Sequence, residues 1–137
     1  MDKNVWIGLI TAALCLAFVL TQSSGPSTVD TLEKATMRIH DETMKEMADM
    51  KRLGRSLKTE LESLDSLSPR LAPIRQTLAQ MQAAEDEMYA WMQQYRAPDK
   101  KDAKAAQTYL EDQKQKIEKN QQAMHAALEA GKELQGQ

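Results

Sequence analysis

From Ser27 to Leu67 the chain carries no proline and is rich in Glu, Lys, Met, Leu and Ala. That composition favours one long helix. Val29, Leu32, Thr36, Ile39, Thr43, Met47, Met50, Gly54, Leu57, Leu61 and Leu64 recur at spacings of three or four, with charged residues between them. A helix with such a stripe has to pack on other helices, so the remainder of the chain is expected to supply partners for it.

Two further stretches fit that demand. Leu71, Ile74, Leu78, Met81, Glu85, Met88, Met92 and Tyr95 form a second stripe, and Ala103, Ala106, Leu110, Gln113, Ile117, Asn120, Met124, Ala127 and Gly131 a third. Ser68-Pro69 suits the cap and first position of the second helix, with Pro73 near its first turn. Ala97-Pro98 ends that helix, and Asp99 suits the cap of the next. The expected helices are 28–66, 69–96 and 100–134, with Ser27 and Asp30 forming a capping box at the first. Both connections are short, which makes successive helices antiparallel neighbours. The expected fold is all-α: an antiparallel up-down-up three-helix bundle or coiled coil over 28–135. The first and third helices are expected to overhang the shorter second one at opposite ends. Gly54, on the first stripe, either admits a close neighbour or marks a kink.

Ahead of the bundle, Val5 to Leu20 is an apolar run, followed by polar Thr21 to Pro26. The run is short for a membrane span and long for a signal-peptide core, so 1–22 is either a signal peptide or a signal-anchor transmembrane helix, with 23–27 as linker. Lys3 and the amino terminus are the positive charges before it, which leaves the N-terminus in the cytoplasm and sends the bundle outward. The expected location is the cell envelope, inner-membrane-anchored through residues 5–21, or the periplasm if the segment is cleaved after Ser23. Cys15, the single cysteine, offers lipidation as a third mode, although Leu14 before it is a poor fit. One thiol builds no intramolecular disulfide, thiolate zinc site or redox pair. Net charge is −2, with basic and acidic residues interspersed, so no basic stripe for nucleic acid is present.

Chemistry has few places to reside. Glu85, Gln113 and Asn120 interrupt the stripes, and counting back from the turn near Ser68 places Glu85 within reach of Lys51 or Arg52. A carboxylate in a bundle needs such a partner, and buried amides there fix register, so these residues form an expected core polar network. His40, Met44 and Met47 share one helix face with Met37, and soft thioethers with an imidazole suit Cu(I). The competing use of the same methionines is packing. His40 should lie near Met92, Tyr95 and the Pro98 loop, and His125 should stand apart, in solvent. Trp91 and Tyr95 either cover one end of the core or serve as partner contacts. No phosphate loop, dinucleotide glycine motif, CxxC pair, HExxH motif or nucleophile elbow occurs.

His40-Asp-Glu-Thr-Met44 with Met47, then Ala84-Glu-Asp-Glu-Met-Tyr-Ala-Trp-Met92, then Tyr109-Leu with Gln113 and Ile117, occur in that order. Over about Ile39 to Leu134 the chain thereby resembles a group of small exported bacterial helical proteins. These are usually described as hypothetical or, through a coiled-coil match, as viral A-type inclusion proteins. The resemblance implies a place outside the cytoplasmic membrane and brings no activity with it. Those proteins commonly begin as lipoproteins, a pattern from which the context of Cys15 departs. The expected function is that of a membrane-tethered, non-enzymatic structural or protein-interaction bundle with no cofactor, acting through a protein partner or self-association. An envelope Cu(I) binder is the alternative, and a holdase using a methionine-rich adaptable face is a third reading.

Overall fold

A computed structural model describes residues 27–136. The expected anchor at 1–22, and the linker apart from Ser27, lie outside the described residues. Three helices make up the rest: α1 (Thr28–Ser63), α2 (Leu71–Gln94) and α3 (Ala103–Gln135). Among the described residues no helix is long and apolar enough to cross a membrane.

Helices α1 and α3 start where a side chain takes up a free amide. Ser27 Oγ accepts from Asp30 N at 3.1 Å and donates to Asp30 Oδ2 at 2.8 Å. The acidic group at that end also suits the helix dipole. Helix α3 begins later than Asp99 would place it. Asp102 is its cap, accepting from Ala105 N at 3.0 Å, while Asp99 accepts from Lys101 N at 3.0 Å and closes a turn instead. At the other connection Asp65 Oδ1 accepts from Leu67 N at 2.8 Å, and this local bond competes with the helix, so α1 stops at Ser63. Ser68 Oγ accepts from Arg70 N at 3.3 Å, and α2 starts at Leu71 with Pro73 in its first turn, where a missing N–H costs little.

Cross-helix contacts fix the directions. Asp30 meets Lys100 just ahead of α3, and between α1 and α3 Glu46 faces His125 and Ser56 meets Gln135, so residue numbers rise together. Between α1 and α2 they run opposite, with Lys51 on Glu85 and His40 on Trp91. The result is an up-down-up three-helix bundle in which α1–α3 is the broadest interface and α1–α2 the thinnest. Because α1 and α3 are parallel, both overrun α2 at the same end, rather than at opposite ends. There Val29, Ala106 and Leu110 form a small separate core with Leu32, Tyr95 and Tyr109.

The main core follows a seven-residue repeat. On α1 it takes Thr36, Thr43, Met50 and Leu57 with Ile39 and Leu53. Thr36 and Thr43 are tolerated there because their hydroxyls donate to Leu32 O at 2.8 Å and Ile39 O at 2.7 Å. On α3 the buried set is close to the expected stripe, with exposed Ala103 replaced by Leu128. On α2 the buried face is rotated: Thr77, Ala84 and Trp91 point inward with Ile74, Met81 and Met88, while Leu78, Glu85 and Met92 sit half-buried at the flank. Small Thr77 and Ala84 permit close packing of the two remaining helices, which periodicity in hydrophobicity alone does not reveal.

Candidate functional site

The flank that this rotation leaves on α2 faces α1, and most of the expected site residues meet along it. Near its middle Lys51 Nζ donates to Glu85 Oε1 at 2.6 Å and to Tyr89 Oη at 3.4 Å, and it stands 5.7 Å from the Tyr89 ring centroid. The hydrogen bond it donates to Glu85, then that to Tyr89, raises the Lys51 ammonium above the ordinary lysine range. Arg52, the other expected partner, pairs with Asp49 at 2.6 Å.

The remaining members of the polar network are dispersed. Asn120 Nδ2 crosses from α3 to donate to Ala84 O at 2.9 Å, tying α2 to α3 at one level. Its Oδ1 is buried and finds no hydrogen-bond partner among the described residues. Gln113 turns to its neighbour, donating to Asp112 Oδ2 at 3.0 Å. Glu85–Lys51 and Asn120–Ala84 are thus two separate cross-links on different interfaces.

Above the ion pair lies the His/Met face. The His40 ring stacks on Trp91 at a centroid distance of 5.6 Å, with its Nδ1 2.9 Å from Asp41 Oδ1. Trp91 in turn stacks on Tyr95 at 4.8 Å, and Tyr95 stands 6.3 Å from Tyr109. Trp91 is only 7% exposed, so it packs in the core rather than presenting itself outward. Burial, followed by the charge of Glu33, pushes the Tyr95 phenol above its ordinary range. Met47, at 4% exposure, belongs to the core, whereas Met37 and Met44 are half-buried and flank His40. His125, on α3, is 3.7 Å from Glu46 on the other side of α1. Among the described residues no three His, Cys, Asp or Glu side chains cluster in a way that would hold a metal ion.

Below the ion pair the α1–α2 flank opens into a cleft of about 220 Å³. Met50, Gly54, Leu78 and Met81 give it an apolar floor, and Arg55 and Lys58 stand on its α1 rim. Neither Arg55 nor Lys58 has an ion-pair partner among the described residues, in contrast to Lys51, Arg52 and Arg70. Leu61, Leu64 and Leu71, all half-buried, follow towards the α1–α2 turn, where Leu67 is 90% exposed. Gly54 lies on the first stripe, but a gap between helices leaves no mark in periodicity. No family model, curated protein or solved structure matches the chain.

Proposed function

We propose that this protein is an envelope-tethered docking module, held at a membrane by residues 5–21 and working by protein contact rather than by catalysis. The observation that carries this reading is how the bundle's polar side chains are used. Lys51 and Glu85 join α1 to α2, and Asn120 joins α3 to α2. Arg70 clamps the far end by donating to Glu60 Oε1 and Leu134 O, both at 2.7 Å. Such groups hold three helices rigidly in register, which suits a spacer or a docking surface. The resemblance to small exported bacterial helical proteins and the apolar run Val5 to Leu20 support the envelope location. Fractionating cells that carry the full chain, with protease added from outside, tests it. Membrane-bound protein cleaved only from outside is the expected result. Protein in the cytosolic fraction overturns it.

Met37, His40 and Met44 favour one second reading, Cu(I) binding, because all three are partly accessible on one face. Titration of the full chain with Cu(I) against a competing chelator, alongside His40→Ala, decides it. Tight stoichiometric binding lost in the variant supports the site; no binding removes it.

A further inference from the structure

Two buried glycines sit on helix stripes in this bundle, and they are there for different reasons. A Cβ on Gly131 would lie 2.5 Å from Met81 Cε and 2.6 Å from Leu53 Cδ2, so a side chain there fits only once those two side chains turn aside. A Cβ on Gly54 would meet Met81 Sδ at 3.4 Å and Leu78 Cδ2 at 3.9 Å, which is ordinary contact. Packing therefore tolerates alanine at 54, and in the middle of a 36-residue helix alanine is the better former. What glycine keeps there is open space at the floor of the α1–α2 cleft.

The walls of that space define what fits. The floor is thioether and leucine, and methionine adapts to differently shaped apolar groups. Lys51, Arg55 and Lys58 stand against one carboxylate, Glu85, which Lys51 already engages. Two unpaired cations thus border an apolar slot on one side. Further towards the α1–α2 turn, Leu61, Leu64 and Leu71 are half-buried and Leu67 is exposed, so apolar surface is also present beyond the cleft.

We infer that the α1–α2 cleft is a docking groove for an amphipathic helix of a partner protein that carries carboxylates beside its apolar face. Apolar side chains of that helix enter over Gly54, between Leu78 and Met81, and its acidic residues meet Arg55 and Lys58. Helix-in-groove recognition of this kind takes its affinity from the apolar anchors and its selectivity from the flanking charge. This inference rests on the protein-contact reading above and names the surface that makes the contact. It does not depend on how the N-terminus is anchored.

The test uses the full chain in detergent and a dye-labelled synthetic helical peptide. The peptide has a leucine face flanked by glutamates; a charge-swapped version has lysines in their place. Fluorescence anisotropy is expected to show saturable binding of the acidic peptide and at least about tenfold weaker binding of the lysine version. Arg55→Glu with Lys58→Glu should reverse that preference, because both side chains are exposed and their replacement leaves the core intact. Gly54→Leu should abolish binding of either peptide. Gly54→Ala, which fits the space without a clash, controls for folding and should weaken binding only in part. Equal binding of both peptides, or no reversal in the charge variant, overturns the inference. So does a groove-dependent interaction with phosphatidylglycerol vesicles alone. Failure here with membrane fractionation intact refutes the groove and leaves the envelope docking reading standing.

Discussion

Lys51 Nζ lies 2.6 Å from Glu85 Oε1, across 34 positions of sequence and from one helix to the next. The contact is where α1 and α2 are registered against each other, and it caps the open cleft below. Lys51 is well exposed and Glu85 less so, which places the pair between a surface and a buried bridge. A double-mutant cycle with Lys51→Met and Glu85→Gln should give a small favourable coupling in urea unfolding. A coupling near zero would show that the two helices hold their register without it.

The glycine contrast makes a paired stability prediction. Gly131→Ala should be less stable than Gly54→Ala, because the ends of the Met81 and Leu53 side chains must turn aside for it. Gly54→Ala should leave stability unchanged or raise it by up to about 1 kcal/mol. Thermal melts of the two variants, followed by circular dichroism, should therefore place Gly131→Ala below Gly54→Ala.

Asn120 is 3% exposed and donates to Ala84 O. Asn120→Ala should cost about 1–2 kcal/mol through that lost bond. Asn120→Asp should cost more at neutral pH, since a carboxylate would face a carbonyl in a buried place. Burial raises such a group's pKa, so the extra loss should shrink as pH falls and the acid becomes neutral. Denaturant midpoints at two pH values measure the effect.

The bundle's other end has a pH signature of its own. Lys100 Nζ is 2.6 Å from Asp30 Oδ1 and 2.7 Å from Glu33 Oε2. The hydrogen bond from Lys100, then that from Ser27, lowers the Asp30 carboxyl below its ordinary range. A lowered folded-state pKa stabilises above the unfolded value, and that contribution is lost as pH falls through the folded one. The Lys100 ammonium is raised by Asp30 first and Glu33 second, so its contribution persists through neutral pH and disappears only in strong alkali. Lys100→Met should accordingly melt earlier than the parent at neutral pH, and the gap should narrow as pH falls below the ordinary carboxylate range.

The sequence carried the fold further than it carried the site. The three stripes place Ile39, Met50, Leu57, Met88, Ile117 and Met124 in the core, where the structure has them. The turn count brings Lys51 to Glu85. The orientation of α2 was not legible in the same way, because Leu78 and Met92 are more hydrophobic than Thr77 and Ala84 yet lie further out. Small residues are chosen there by the closeness of two neighbouring helices, a three-body condition that a single helix's pattern cannot express. Helix ends shifted for a related reason: Asp65 and Asp99 each had a competing local bond available. The cleft followed from the rotation of α2, so it was hidden along with it.

The parallel run of α1 and α3 has a mechanical consequence. The described chain enters the bundle at one end and leaves it at the other, about 54 Å away along the 36 residues of α1. Tension between Ser27 and Gly136 loads the α1–α3 interface in shear, along its whole length at once, instead of peeling it one layer at a time. A partner that pulled on the far end would therefore meet resistance from the broadest interface in the molecule.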